Sequence, residues 1–201
     1  MTTLINPNDP RAKRTRKFLQ QAFTELLKQK DFDKITIQDI ADQAEMNRST
    51  FYSHFQDKYE LLDVTLNTMF SDILSERIPA DSNLDEPSLV RNLMLAICQY
   101  QIETGKCINL KSTLSLYIEE NIKNQLYSII FSCVANKMHT HVLQEKRRIE
   151  LIVTIISSAI YGIVLDWTHK GQLDDPEQLV RDALPLILTI PVSYTHLTLP
   201  T

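Results

Sequence analysis

The stretch Thr36–Leu62 reads TIQDIADQAEMNRSTFYSHFQDKYELL and decides the fold. Its first apolar residues recur at i, i+3, i+4 and i+7, which is the spacing of one helix face: Ile37, Ile40, Ala41 and Ala44. Thr36 is a favoured N-cap residue, and Asp39 occupies the position that completes a capping box. The beginning of the stretch therefore predicts a short helix that starts after Thr36.

A turn at Glu45 and Met46 leads into a second predicted helix, for which Asn47 is the N-cap. Phe51 and Phe55 lie four residues apart and are expected to anchor this helix to the core. Its other side chains include no acid and many hydrogen-bond donors: Arg48, Ser49, Thr50, Tyr52, Ser53 and His54. Because a helix that faces only water usually carries Glu and Lys, this surface indicates contact with base edges and phosphates.

A longer helix precedes this stretch and another one ends it. The preceding helix is predicted to reach about Gln29 and repeats apolar residues on one face: Phe18, Leu19, Ala22, Phe23, Leu26 and Leu27. The following helix is predicted from Asp57 to about Arg77. Lys58 stands in its first turn, where an ammonium group and free backbone N–H groups can hold one phosphate. Together these helices predict a helix-turn-helix domain over residues 11–78.

Residues 11–17, RAKRTRK, contain five cations and no acid. Cations at the beginning of a helix oppose its macrodipole, so helix stability does not explain them. We interpret the segment as an arm that contacts phosphates or the minor groove, and a solvated basic tail is the alternative. Residues 11–60 carry ten Lys and Arg against eight Asp and Glu, whereas the net charge of the chain is −4. The segment is therefore expected to supply most of the electrostatic attraction to DNA.

The second half of the chain is predicted to form a helical domain over residues 79–190. Residues 79–87 are polar with a proline at each end and mark the domain boundary. Gly105 and Gly171 are expected to end helices, and Pro185 to kink or divide one. The predicted helices of this domain are residues 88–104, 144–170 and 175–190. The pattern is helical over residues 107–140 as well, and a division into a short helix over 109–116 and a longer one from 118 is left open.

The two ends of the chain are treated separately. Residues 1–10 are polar and are expected to form a flexible N-terminus. Residues 191–201, PVSYTHLTLPT, contain two prolines and show no helical face. They look like a read-through tail that vector sequence adds, so we expect them to lie outside the native fold.

Three features exclude other classes of protein. Cys98, Cys107 and Cys133 are odd in number and not closely paired, which indicates reduced thiols and a cytoplasmic location. The apolar run 149–165 contains Glu150 and several hydroxyl residues, so it predicts a buried helix and no membrane association. No nucleophile–base pair, Gly-rich phosphate loop or metal cluster is readable, so the chain is not expected to be an enzyme or to need a cofactor or a metal.

The segment 14–74 resembles the DNA-binding domain of the tetracycline-repressor (TetR) family of transcriptional regulators. Two runs carry the resemblance most specifically: Phe51-Tyr52-Ser53-His54-Phe55 and Asp57-Lys58-Tyr59-Glu60-Leu61-Leu62. A weaker similarity to the family's C-terminal pattern covers Tyr161-Gly162-Ile163, Trp167, Gly171 and Asp175-Pro176-Glu177. The chain departs from the family at the turn, where Glu45, Met46 and Ser49 occupy a region that commonly holds a glycine.

The resemblance implies an all-α homodimer of about nine helices. An N-terminal three-helix helix-turn-helix domain would read a palindromic operator in double-stranded DNA, and helical C-terminal domains would bind a ligand and dimerise through helices 8 and 9. The run 151–165 is apolar nearly all round, which agrees with a helix covered on both sides by a partner. A central core helix of a monomer is the alternative.

Roles for single residues follow from the same comparison. Base readout is predicted for Arg48, Ser49 and Thr50, and phosphate contact for five residues: Arg14, Thr36, Tyr52, His54 and Lys58. Structural explanations stay open for four of these eight. They are core packing for Tyr52, capping or surface exposure for His54, a solvated charge for Lys58, and an ion pair with Glu45 for Arg48.

The predicted function is a repressor that an unknown small-molecule effector releases from DNA. Five residues of the predicted domain 79–190 are candidates for lining the effector pocket: Met94, Cys98, Tyr117, Tyr127 and Trp167. Residues of each of these types more often belong to the hydrophobic core than to a ligand site. The alternative is a coactivator of the same fold whose second domain binds a partner protein instead of a small ligand.

Overall fold

A computed structural model describes residues 9–79, 84–107, 113–137, 143–172 and 174–192. Within these ranges the chain forms eight α-helices, one 3₁₀ turn and no strand, so the predicted all-α fold is confirmed. The helices are α1 (Pro10–Gln29), α2 (Ile37–Gln43), α3 (Arg48–Tyr52), α4 (Lys58–Arg77), α5 (Glu86–Cys107), α6 (Thr113–Lys137), α7 (Leu143–His169) and α8 (Pro176–Val192), and the 3₁₀ turn is Phe32–Lys34.

The chain forms two compact units. Unit 1 consists of the residues up to Met69 together with Ile102–Ile118, and it contains the helix-turn-helix segment. Unit 2 consists of Phe70–Gln101 and the residues from Glu119 onward. The division falls inside α4, whereas the sequence places a domain boundary at residue 79, and that boundary stays a prediction.

The basic segment 11–17 forms the first turns of α1, so it is not an arm separate from the helix, and its contact with DNA stays a prediction. Asp9 is the N-cap of α1, and its Oδ1 accepts a hydrogen bond from the backbone N–H of Arg11 over 2.8 Å. Pro10 is the first helical residue, a position where the missing N–H of proline is not needed. This favourable beginning allows a helix to form in spite of the cations in its first turns.

The buried face of α1 is narrower than the apolar pattern predicts. Its buried residues are Ala12, Leu19, Ala22, Phe23, Leu26 and Leu27. Phe18, which we expected on this face, is 47% exposed. It lines an open cleft of about 360 Å³ between α1 and the end of α2. The apolar repeat predicted the helix correctly, but its prediction that Phe18 is buried is wrong.

The predicted capping box at the start of α2 is confirmed. The hydroxyl of Thr36 accepts a hydrogen bond from the backbone N–H of Asp39 over 3.1 Å, and the Asp39 carboxylate accepts one from the backbone N–H of Thr36 over 2.7 Å. Ile40 and Ala41 are buried, whereas Ile37 is half-buried. These bonds define where α2 begins. The turn into α3 follows at the other end of α2.

The turn between α2 and α3 is a Schellman motif without glycine. The backbone N–H of Met46 donates to the carbonyl of Ala41 over 2.8 Å, and that of Glu45 donates to Asp42 over 3.1 Å. Glu45 occupies the C′ position with φ of 54°, in the left-handed region that glycine adopts most easily. The turn therefore has the required geometry, and Glu45 carries its conformational strain.

The same motif ends α7, and there it does contain glycine. The backbone N–H of Gln172 donates to Trp167 over 3.0 Å and that of Gly171 donates to Thr168 over 3.1 Å. Gly171 has φ of 83°, and no atom lies within 4 Å of where a Cβ would stand. The prediction that Gly171 stops this helix is confirmed.

The structure departs from the expectations for residues 79–190 at three places. Gly105 lies inside α5 and does not end it, because the helix continues to Cys107. A single helix, α6, covers 113–137, so the break expected near residue 117 is absent; residues 109–112 of the short helix lie outside the described residues. Pro185 does not divide α8, which reaches Val192, and a kink at Pro185 stays a prediction. The described helices therefore number eight, and α8 includes the first two residues of the expected tail, while 193–201 lie outside the described residues.

Within the described residues, one helix is long and apolar enough to cross a membrane. It is Lys146–His169, with a mean hydropathy of 1.9, and less than half of it is buried inside the protein. One face of α7 is core, with Val153, Ile160 and Val164 fully buried. Leu151 and Ile155, on another side of α7, are large apolar residues that are exposed.

We predict opposite effects for glycine exchange at the two Schellman turns. Glu45→Gly should stabilise the fold by about 0.5–1 kcal/mol, because glycine adopts the left-handed conformation without strain. Gly171→Ala should destabilise it by about 1 kcal/mol for the same reason. Urea unfolding at fixed protein concentration measures both. Glu45→Ala, which removes the charge and keeps a Cβ, is the control and should not be stabilised; an equal gain in Glu45→Ala would refute the conformational explanation.

We also predict an acid-dependent contribution from the capping box. Hydrogen bonds from the Thr36 hydroxyl and backbone, with help from Lys30, lower the pKa of Asp39 from 3.8 to about 2. A lowered folded-state pKa gives stability that is complete above the ordinary pKa and is lost as the pH falls towards 2. The difference in thermal midpoint between the wild type and Asp39→Ala should therefore be constant near neutral pH and shrink below about pH 4. A difference that does not change between pH 7 and pH 2 would contradict this role.

Candidate DNA-binding surface

The outer face of α3 has the exposure that a base-reading surface needs. Arg48 and Ser49 are exposed, and Tyr52 is 49% exposed. Phe51 and Phe55 are buried, so the inner face is occupied by core, as predicted. Thr50 is half-buried and lines an open polar cleft of about 470 Å³ beside the α2–α3 turn. Core packing is therefore not the role of Tyr52, although its ring meets Phe51 edge to face at 5.6 Å.

Arg48 and Tyr52 lie together on this face. An Nη2 of Arg48 is 3.5 Å from the Tyr52 hydroxyl, and the guanidinium carbon lies 6.0 Å from the centre of the ring. The alternative of an ion pair between Arg48 and Glu45 is not observed. The guanidinium is thus oriented by an aromatic neighbour and keeps most of its donors for another partner.

The hydroxyl of Thr36 is already used within the protein. It accepts from the backbone N–H of Asp39 and donates to the Asp39 carboxylate over 2.7 Å. Lys30 forms an ion pair with the same carboxylate over 3.0 Å. A phosphate contact by the Thr36 side chain would compete with this arrangement, and that contact stays a prediction.

His54 ends the turn after α3 and is held through its backbone. Nη1 of Arg16, in α1, donates to the His54 carbonyl over 2.9 Å, and the Arg16 guanidinium lies 4.4 Å from the centre of the Phe55 ring. Burial, together with the charge of Arg16, lowers the pKa of the His54 imidazole. At neutral pH the side chain is therefore uncharged, and its imidazole can form neutral hydrogen bonds only. Sequence reasoning missed Arg16, since an Arg within a basic run carries no sign that it turns inward.

Lys58 also turns inward. Its Nζ donates to the carbonyls of Phe32 and Ile35 over 3.0 Å each and to that of Asp33 over 3.3 Å. The ammonium also lies 4.4 Å from the centre of the Phe32 ring. The solvated charge that we kept as an alternative for Lys58 is thus not what the structure shows.

Four cations of the basic segment remain exposed on α1: Arg11, Lys13, Arg14 and Lys17. None of the ion pairs among the described residues involves them. Because Arg16 of the same helix reaches the carbonyl of His54, this turn of α1 lies next to the end of α3. Unit 1 therefore presents unpaired positive charge beside the polar, acid-free face of α3.

The five candidates for a ligand pocket do not all belong to one unit. Tyr117 belongs to unit 1, and the other four belong to unit 2. Met94 and Cys98 are fully buried in α5, and burial raises the pKa of the Cys98 thiol to about 12. The Trp167 indole N–H donates to the carbonyl of Asp174 over 2.9 Å and so ties the end of α7 to the chain that follows it. Tyr127 stacks on Phe131 at 6.0 Å within α6.

Unit 2 contains a buried polar group around Tyr161 that the sequence analysis did not predict as a group. Tyr161 is buried, and its hydroxyl forms a hydrogen bond with the Gln101 side chain. Burial, and then the nearby Glu119 carboxylate, raise the pKa of Tyr161. Lys123 lies 4.9 Å from the centre of the same ring and forms an ion pair with Glu119 over 2.7 Å. Polar residues spaced far apart in sequence leave no periodic signal, so this group was not predictable.

Comparison with known proteins identifies the same region. Residues 21–65 match the family model described as bacterial regulatory proteins, tetR family. The chain is 28% identical over 182 residues to the uncharacterized HTH-type transcriptional regulator YxbF of Bacillus subtilis, an alignment that covers 89% of this chain and 46% of YxbF. It is 31% identical over 62 residues to DhaS of Lactococcus lactis, an HTH-type transcriptional activator of the dhaKLM operon, covering 31% of this chain and 33% of DhaS. The chain thus spans less than half the length of these curated relatives.

Solved structures share the fold. A structure named dihydroxyacetone kinase operon activator DhaS superposes with a TM-score of 0.53 and 22% identity, covering 88% of this chain and 95% of that one. NalD of Pseudomonas aeruginosa, the secondary repressor of the MexAB-OprM multidrug efflux pump, superposes with a TM-score of 0.51 and 17% identity, covering 89% of this chain and 96% of NalD. The chain thus carries the tetR-family model at its helix-turn-helix, over residues 21–65, and shares the fold of these solved transcriptional regulators over most of its length.

Proposed function

We propose that this chain binds a palindromic operator in double-stranded DNA as a homodimer. The observation that carries the proposal is the face of α3, which is exposed, acid-free and adjacent to the unpaired cations of α1. Arg48, Ser49 and Thr50 would read base edges, and Tyr52 would contact the backbone with its phenol. Arg14 and its exposed neighbours on α1 would contribute most of the attraction to phosphates. Thr36 and the neutral His54 would add hydrogen bonds that fix the register.

A dimer would place two recognition helices about one DNA turn apart, roughly 34–36 Å. The surface that supports it is a stripe on α7 at spacings of four, three and four residues: Leu151, Ile155, Ser158 and Gly162, all exposed. On α8, which packs against α7, Leu186 is exposed as well. Small residues at the end of the stripe would allow close approach of a partner helix. A pair of such stripes also accounts for the membrane-like hydropathy of α7 without a membrane.

The regulation we propose is release from DNA by a small effector bound in unit 2. Its chemistry would depend on the buried Tyr161–Gln101 pair within apolar surroundings. Coupling of this kind typically amounts to about 1–3 kcal/mol. The protein would be cytoplasmic, as its predicted reduced thiols and DNA partner require.

A coactivator is the second candidate, because DhaS, which this chain resembles in sequence and fold, is named an operon activator. In that case unit 2 would bind a partner protein instead of a small ligand. The two functions are separated by isolating the tagged chain from its native cells. A stoichiometric partner whose removal abolishes operator binding would favour the coactivator, and a small molecule that changes operator affinity would favour the repressor.

We predict that the α1 cations contact phosphates. Arg14→Gln and Lys17→Gln should each weaken binding to any duplex and reduce the slope of log K against log salt by about 0.9. Fluorescence anisotropy over a range of salt concentrations measures this slope. Lys170→Gln, which removes an exposed cation of unit 2, should leave the slope unchanged. An unchanged slope in both α1 variants would show that these residues do not bind DNA.

We predict that Ile155→Glu disrupts the dimer, because Ile155 is 46% exposed in the chain but would be buried between two copies. Dimerisation should weaken by about 2 kcal/mol or more, the effect of a residue central to an interface. Analytical ultracentrifugation gives the dissociation constant. Leu116→Glu, at a residue 70% exposed on α6, is the matched control and should remain dimeric. Equal behaviour of the two variants would argue against the α7 interface.

A further inference from the structure

We propose that Lys58 and Arg16 are positioning residues that hold α3 in place by binding backbone carbonyls, and that neither contacts a phosphate. This inference depends on the proposed DNA binding of unit 1. It differs from the sequence interpretation, in which Lys58 clamps the DNA backbone. The recognition helix α3 has only five residues. A helix this short is not stable alone, so its direction is determined by what holds its two ends.

Lys58 holds the approach to the helix-turn-helix. An ammonium group has three N–H donors, and three carbonyls lie within hydrogen-bond distance of Nζ: those of Phe32, Asp33 and Ile35. Phe32 and Ile35 are buried, and Ile35 is followed directly by Thr36, the N-cap of α2. Lys58 therefore ties the first turn of α4 to the chain that leads into α2. The three N–H donors of Lys58 are engaged and its charge lies beside the Phe32 ring. Lys58 therefore has no free donor for a phosphate.

Arg16 holds the other end. Its guanidinium donates to the carbonyl of His54, in the turn that follows α3, and stacks on the ring of Phe55, which is 2% exposed. A planar guanidinium can lie flat on the ring while it donates a hydrogen bond in its own plane, whereas an ammonium has no flat face to stack. α1 is thereby joined to the exit of α3. The entrance through α2 and the exit through His54 are each fixed by one inward-facing cation.

Charge-conserving exchanges separate positioning from phosphate binding. Lys58→Arg and Arg16→Lys both keep the positive charge, so a residue that acts on phosphates would largely keep its effect. The geometry differs: three converging carbonyls suit a compact ammonium, and an aromatic face with one carbonyl suits a flat guanidinium. If positioning is the role, both exchanges misalign α3 even though the net charge of the protein is unchanged.

The experiment uses the full chain and two duplexes. One duplex is the sequence that the wild type enriches from a random library, and the other is a random-sequence duplex of equal length. For each protein, anisotropy titrations give the ratio of the two affinities and the salt slope on the random duplex. All measurements are made well below the thermal midpoint of the least stable variant, with helix content checked by circular dichroism. Lys13→Gln, which removes an exposed α1 cation, serves as the phosphate-type control.

We expect Lys58→Arg and Arg16→Lys to lose about tenfold or more in the affinity ratio, the discrimination of one good base contact. Their salt slope on random DNA should equal that of the wild type, whereas Lys13→Gln should lower the slope and keep the ratio. A purely stabilising role would lower the thermal midpoint and leave the ratio unchanged, and that result overturns the proposal. A reduced slope in Lys58→Met or Arg16→Met overturns it as well, because it would reveal a phosphate contact.

The design also distinguishes this inference from the proposed function. If the wild type enriches no sequence and binds random DNA without salt dependence, DNA binding itself is refuted. If the wild type binds selectively and the charge-conserving variants match it, only the positioning role is refuted. If Lys58→Arg does not fold, Arg16→Lys alone tests the positioning role. Arg16 makes a single, partly exposed contact with a carbonyl, so the loss of that contact disrupts the fold less.

Discussion

The burial of Phe51 and Phe55 is the interaction on which the DNA-binding surface depends. Both rings are almost completely buried, with centroids 5.7 Å apart, and burying a phenylalanine contributes about 1.5–3 kcal/mol. That contribution is needed because α3 is too short to be stable by itself. Since the two rings occupy the inner side of α3, Arg48, Ser49 and Tyr52 must face outward. The core therefore determines which residues are available to DNA.

Unit 1 contains two groups of cations that composition cannot distinguish. Arg16 and Lys58 bind backbone carbonyls and shape the unit. The exposed cations of the basic segment 11–17 have no acidic partner among the described residues. A count of positive charges treats both groups alike. The positive field outside unit 1 comes mainly from the exposed group, since inward-facing charges are shared with carbonyl dipoles and aromatic rings. The small positive net charge of residues 11–60 therefore does not show that the exposed positive charge is concentrated at one place.

Local sequence rules predicted the features that depend on neighbouring residues. The capping box at Thr36 and the glycine stop at Gly171 follow from residue type and spacing alone. Features that depend on distant contacts were not predictable. Lys58 faces inward because of carbonyls 23 to 26 residues earlier, and Phe18 is exposed although it fits the apolar repeat. Gly105 continues α5 because the packing of a long helix outweighs the preference of one residue. Of the candidate site, the outward residues of α3 were therefore foreseen, and the residues that orient α3 were not.

We propose that two copies of α3 read DNA at a fixed separation set by an α7–α8 dimer. Hydroxyl-radical footprinting of the wild-type chain on a duplex selected from a random library tests this arrangement most directly. We expect two protected regions related by a palindrome, with centres about one helical turn, roughly 34–36 Å, apart. A single protected region, or protection without a preferred sequence, would contradict it.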